Sequence, residues 1–171
     1  EETTKASDDS FKQVTTSFKD VDDSFWGKAP ITSVCSLGLM SGMSGTTFEP
    51  NTTTSRAMLV QVLYNMEGGP DVSEVNVPFT DIGDTWYTKA IKWAYSNKVV
   101  AGMTATTFGP METLTREQFA AILFNFANYK KMDVDGKADL SKFSDADRIS
   151  SYAEPALSWA NHEGLITGHA N

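Results

Sequence analysis

The sequence predicts an all-α protein built from tandem helix-loop-helix repeats. Two observations predict it: an internal repeat of about sixty residues, and apolar residues recurring at helical spacing on both arms of that repeat. Trp26 and Trp86, Gly42 and Gly102, Phe48 and Phe108, Pro50 and Pro110, and Arg56 and Arg116 each stand sixty positions apart. "GMSGTTFEP" (42–50) therefore lies over "GMTATTFGP" (102–110).

Residues 1–17 read as a polar lead-in. Their start, EETTKASDDS, has neither the basic nor the apolar run of a signal peptide. Repeat 1 (18–78) opens with "FKDV", repeat 2 (79–142) with "FTDI", and a third, truncated copy (143–171) with "FSDA". In the first helix of each full repeat, Ile31, Val34, Cys35 and Leu39 match Ile91, Ala94, Tyr95 and Val99. Gly42 and Gly102 are expected to stop these helices. A loop with a buried-looking phenylalanine and a proline follows. The second helix then shows Leu59, Val62, Leu63 and Met66 in repeat 1, against Phe119, Ile122, Leu123 and Phe126 in repeat 2. Polar connectors, 67–78 and 129–142, close each repeat. In the third copy "PALSWANHEGLITG" (155–168) lies over "KAIKWAYSNKVVAG" (89–102), pairing Trp159 with Trp93, Tyr152 with Trp86 and Gly168 with Gly102. Trp93 and Trp159 are expected in the core, and Phe48 and Phe108 as loop anchors.

At 171 residues, 40% hydrophobic and 21% charged, the chain can bury a real core. Its net charge of −8 argues against general binding to nucleic acid, and no apolar run is long enough for membrane insertion. A single cysteine, Cys35, excludes an internal disulfide and reads as a buried small hydrophobe. His162 and His169, the two histidines, belong to no metal-binding or nucleophile motif. "DVDG" (133–136) hints at a calcium loop, but that register puts Lys131 and Lys142 where acids are required. No catalytic residue, metal ligand or cofactor site is predicted, so the chain is not expected to be an enzyme.

The arginines need an explanation. Only three of the 14 basic residues are arginine, and Arg56 and Arg116 fall at helix starts. A cation there is unfavourable by roughly 0.3–1 kcal/mol. "TREQ" is also a capping box, with Thr115 as cap and Gln118 reaching back; Ser55 caps in repeat 1, where Met58 cannot reciprocate. One reading makes the arginines structural, paired with acids such as Asp20, Asp81 or Asp145. The other makes them anion contacts, because the guanidinium fork grips a carboxylate through two parallel hydrogen bonds and a helix start adds free N–H groups.

In order and spacing these motifs resemble the S-layer homology (SLH) domain family, whose repeat runs F-x-D-V, W-a-x-x-a-I, a glycine-closed helix, F-x-P and T-R-A-E. The match is "FTDIGDTWYTKAIKWA…VVAGMTATTFGPMETLTREQFAAIL" in repeat 2, and "FKDVDDSFW", "FEP" and "SRAM" in repeat 1. The resemblance implies three repeats in a pseudo-threefold arrangement around a central helical bundle. It implies an extracellular, wall-associated module of a bacterial surface protein that binds an anionic, pyruvylated secondary cell-wall polysaccharide. Ligand grooves lie between neighbouring repeats and use the arginine of T-R-A-E. The glycan-binding residues it points to are Arg56 and Arg116 with their caps Ser55 and Thr115. Sugars also need an apolar platform, for which Trp26, Trp86, Met43 and Met103 are the candidates, Trp26 and Trp86 reading equally as core edge or groove wall. Gly42 and Gly102 supply backbone amides, and Asp20, Asp81 and Asp145, first of all turn caps, have a secondary ligand role. "SRAM" and "TREQ" both depart from T-R-A-E, and the third copy has no arginine segment, so a groove built on a third arginine is expected to be incomplete. The alternative function is a helical-repeat module that docks on other surface-layer proteins.

Overall fold

The computed structural model describes residues 18–168; the expected lead-in and His169 lie outside them. Among the described residues there are five α-helices and no strand. They are α1 (Lys28–Ser36), α2 (Arg56–Met66), α3 (Thr88–Ser96), α4 (Arg116–Tyr129) and α5 (Glu154–His162), with a 3-10 turn at Ala146–Arg148 before α5. The chain divides into two compact units, one ending at Thr52 and one beginning at Thr53. This cut falls inside the first sequence repeat. The second helix of each full repeat packs on the first helix of the next: α2 on α3, and α4 on α5.

The first unit is built on α1. Phe18, Val21, Ile31 and Cys35 form its buried cluster, with Phe25, Val34 and Phe48 packed against it. Cys35 is fully buried and unpaired, and burial pushes its thiol up. In the second unit, α2 brings Ala57, Leu59, Val60, Leu63 and Tyr64 against Ile91, Trp93 and Ala94 of α3 and Ile122 and Phe126 of α4. Trp93 sits amid the rings of Tyr64, Phe126 and Tyr129, with centroids 6.0, 6.3 and 5.6 Å away. Trp159 of α5 does the same against Phe124, at 5.6 Å, beside a cluster of small alanines from α4 and α5. Met66, expected on the inner face of α2, is exposed, and Val60 and Tyr64 take the buried positions. Packing of α2 against α3 selects that face.

The helix stops differ from expectation. The first helix of each repeat ends at 36, 96 or 162, so Leu39 and Val99 lie beyond it. The left-handed residue that ends it is Gly38 (φ 68°), Lys98 (φ 60°) or Gly164 (φ 71°). After Lys98, the Val99 amide turns back to Ala94 O at 2.8 Å, closing the helix through a left-handed cap. Gly102 has another duty. A Cβ there would lie 2.4 Å from Thr104 O and 2.5 Å from a ring carbon of Phe79. Gly42 meets Phe18, and Gly168 meets Phe143, at the same 2.5 Å. The glycine is needed so that the phenylalanine of "F-x-D" can lie flush on the loop backbone. Gly136, in the "DVDG" stretch, likewise leaves room for the His162 ring.

Candidate functional site

The repeat's aspartate and loop form one device, present twice. Asp20 accepts from the Phe48 and Glu49 amides at 2.9 and 2.7 Å. Asp81 accepts from the Phe108 amide at 2.8 Å and the Gly109 amide at 2.8 Å. These carboxylates cap the turn that carries the loop phenylalanine. The Phe48 amide, helped by Glu49, holds the Asp20 carboxyl below its usual range. Burial pushes the Asp81 carboxyl up, but the Phe108 and Gly109 amides outweigh it and the net direction is down. Phe48 and Phe108 pack at a tilt against Phe18 and Phe79, with centroids 5.4 and 5.6 Å apart, which anchors each loop. Asp145, in the third copy, is exposed and its carboxylate has no partner among the described residues.

The two helix starts that carry arginine are capped as their sequences require. Ser55 Oγ accepts from the Met58 amide at 3.3 Å. At α4 the full capping box forms: Gln118 N donates to Thr115 Oγ1 at 3.2 Å, and Thr115 N to Gln118 Oε1 at 3.1 Å. Among the described residues neither arginine pairs with an aspartate. Arg56 Nη2 donates to Ala101 O at 2.8 Å, and Arg116 Nη2 donates to Thr167 O. Ala101 and Thr167 each precede the repeat's glycine, so both arginines reach the equivalent carbonyl of the following repeat.

Beyond that shared bond the two sites diverge. Arg56 is 6% exposed; its Nε also donates to Phe108 O at 3.1 Å, and its guanidinium lies 4.6 Å over the Phe108 ring. Burial pushes its pKa down, with the nearby Tyr152 opposing; an arginine tolerates this and stays charged. The first amides of α2 are occupied as well, Arg56 N by Glu112 O at 3.0 Å and Ala57 N by Pro110 O at 2.9 Å. At α4 the equivalent amides of Arg116 and Glu117 have no acceptor among the described residues, and no described loop covers Arg116 as the Phe108 loop covers Arg56. Arg116 opens instead on a cleft of about 660 Å³ whose walls include Thr115, Lys142, Phe143, Asp145 and Arg148.

Of the residues expected to meet a glycan, Thr115, Arg116 and Asp145 come together in this cleft. Arg56, Asp81 and Gly102 instead bind or pack around the Phe108 loop. Met103 is exposed beside that loop, and Met43 is exposed after Gly42 in the first unit. Trp26 and Trp86 are 87% and 56% exposed, each with one aromatic neighbour, Phe25 and Tyr87. Three contributors escaped the sequence reading. Glu117 accepts from Ser150 N at 3.1 Å, Ser150 Oγ at 3.0 Å and Tyr152 Oη at 3.3 Å, which fastens α4 to the third copy. Lys142 and Arg148 add positive charge to the cleft. The match of Tyr152 to Trp86 was a signal; a lysine in a polar connector was not.

Comparison with known proteins agrees with the repeat pattern. The family model for the S-layer homology domain matches residues 17–57, 78–120 and 142–171. The chain is 32% identical over 144 residues to the surface-layer 125 kDa protein of Lysinibacillus sphaericus, covering 84% of this chain and 12% of that protein. It is 29% identical to an endoglucanase of Bacillus sp. strain KSM-635, covering 90% of this chain and 16% of the enzyme. It is also 29% identical to an amylopullulanase of Thermoanaerobacterium thermosulfurigenes, over 90% of this chain and 8% of the enzyme. The chain thus spans a small fraction of the length of each relative.

Proposed function

Because the chain belongs to the S-layer homology domain family, we propose that it holds a bacterial surface protein on the cell wall by binding an anionic secondary wall polysaccharide. The domain itself is a non-catalytic anchoring module of cell-surface proteins. The ligand group is a carboxylate, with a pyruvate ketal on the glycan as its source, and Arg116 is its contact.

The observation that carries this reading is that Thr115, Arg116 and Asp145 come together in one cleft. Arg56 spends its donors on protein carbonyls inside the fold. Among the described residues Arg116 makes one such bond, to Thr167 O, and lines the cleft with Thr115 and Asp145. A guanidinium and a helix start together favour a small oxyanion, and the local cost of a cation at that helix start is offset when the anion binds. Thr115 sets the helix start through its cap, and Asp145 supplies an acceptor for sugar hydroxyls. Arg56, Ser55, Asp20, Asp81, Gly42 and Gly102 act by shaping loops, while the exposed Trp26, Trp86, Met43 and Met103 offer apolar faces to sugar rings.

The test is co-sedimentation with purified wall polysaccharide. Arg116→Ala is expected to weaken binding by about 1–3 kcal/mol, the scale of a charge-assisted hydrogen bond. Removing pyruvate from the glycan is expected to produce a comparable loss. Unchanged binding by folded Arg116→Ala protein would sink the arginine contact; failure of the unmodified chain to bind would sink the glycan reading itself.

A further inference from the structure

Charge is segregated along the middle of the chain. Residues 57–84 hold five acids and no base, and residues 85–111 hold three lysines and no acid. The lysines, Lys89, Lys92 and Lys98, belong to α3 and its closing turn. The repeat does not require them: the matching residues are Ala29, Thr32 and Gly38 in the first copy and Pro155, Ser158 and Gly164 in the third.

Two of the three stand where local physics disfavours them. Lys89 is in the first turn of α3, where a cation opposes the helix dipole. Lys98 occupies the left-handed turn that Gly38 and Gly164 fill in the other copies; its charge suits a helix end, but its backbone conformation suits glycine. Lys89 and Lys92, three residues apart, share the face of α3 turned away from the buried Ile91 and Ala94. None of the three lysines forms an ion pair among the described residues.

The acidic block borders this face. Val72 and Val75 of the connector join the cluster that holds Ile91 and Trp93 of α3. Hydrogen bonds from Ser73 hold the Asp71 carboxyl below its usual range, and the charge of Lys89 acts in the same direction. Of the five acids, Glu67 is paired with Lys130 at 2.8 Å and Asp81 caps the Phe108 turn. The other three, Asp71, Glu74 and Asp84, are exposed and form no ion pair among the described residues. Three acids thus adjoin three lysines.

Such a patch is self-complementary. A polyanion laid on the lysines would meet the repulsion of the neighbouring acids. A second copy turned about a two-fold axis sets the acids of each chain against the lysines of the other. We propose that the lysine face of α3 and the acidic connector beside it form a surface on which two copies of this chain associate, weakly and through charge. The surface shares no residue with the lining of the Arg116 cleft and is independent of the glycan reading.

The test is sedimentation equilibrium of the full chain at about 0.01 M and about 1 M salt, where charges are felt over about 30 Å and about 3 Å. The unmodified chain is expected to dimerise at low salt and to be monomeric at high salt. The chains Lys89→Glu/Lys92→Glu and Glu74→Lys/Asp84→Lys are each expected to self-associate at least about tenfold more weakly. An equimolar mixture of the two is expected to associate again, because their faces are opposite in charge. A monomeric unmodified chain at low salt overturns the proposal, as does association that salt does not weaken; both are read without any variant. Undiminished association of either folded variant also overturns it, as does a mixture of folded variants that stays monomeric. If the unmodified chain is monomeric throughout but binds polyphosphate, and Lys89→Glu/Lys92→Glu does not, the occupant is an anionic polymer and the self-association is refuted.

Discussion

Replacing Arg56 by methionine removes a buried guanidinium while keeping most of its aliphatic bulk. Two hydrogen bonds disappear, to Phe108 O at 3.1 Å and Ala101 O at 2.8 Å. Hydrogen bonds to a charged group contribute about 1.5–3 kcal/mol each. The contact over the Phe108 ring adds about 0.5–2 kcal/mol. Against this, methionine avoids the desolvation that pushes the Arg56 pKa down, while its own buried side chain loses about as much rotamer freedom as arginine does. The expected net destabilisation is about 2–4 kcal/mol. Arg116→Met is the internal control: that residue is exposed and makes one bond, to Thr167 O, so its loss is expected to cost no more than about 1 kcal/mol. Urea unfolding followed by tryptophan fluorescence measures both. Trp93 and Trp159 are the buried reporters and lie in the same unit as both arginines. A change below about 0.5 kcal/mol for Arg56→Met, or equal damage from Arg116→Met, would refute the division of labour between the two arginines.

Gly102→Ala forces a Cβ to 2.4 Å from Thr104 O and 2.5 Å from the Phe79 ring. The expected destabilisation is about 1–3 kcal/mol, as for overpacking, read as a lower midpoint in scanning calorimetry. Asp81→Asn tests the turn cap through pH. The folded Asp81 carboxyl is held below its ordinary value of 3.8. Its contribution is therefore full well above pH 3.8 and is lost as pH falls below that value through the depressed folded pKa. At neutral pH the variant is expected to be about 1 kcal/mol less stable, a modest figure because Asp81 is exposed, and the gap is expected to close towards pH 2. A gap independent of pH would remove the carboxylate's charge from the account.

Local patterns were readable wherever a short stretch decides its own conformation. The capping box at Thr115 and Gln118, the serine cap at Ser55 and the core positions of Trp93 and Trp159 all follow from neighbours in the chain or from helical spacing. The role of Gly102 depends on Phe79, which lies 23 residues away. The sequence offers no sign of that contact beyond the repeat itself. The helix stop is hidden for a related reason: in repeat 2 the left-handed position is filled by Lys98, where no glycine marks it. The exposure of Met66 reflects which neighbour α2 packs on, α3 of the following repeat, and helical periodicity alone does not name that neighbour.

The amino-acid sequence by itself determined the helical class, the sixty-residue repeat, family membership and the recurrence of an arginine behind a helix cap. Those properties reside in segments of a few residues or in their repetition. Tertiary structure decided what each arginine does. Arg56 and Arg116 each follow a hydroxyl cap, Ser55 or Thr115, and make the equivalent bond to the next repeat. Their environments come from residues 45 to 52 positions further along the chain. Around Arg56 those residues close into the Phe108 loop and bury it, so it braces the fold. Around Arg116 the described residues form a cleft whose walls include Lys142 and Arg148.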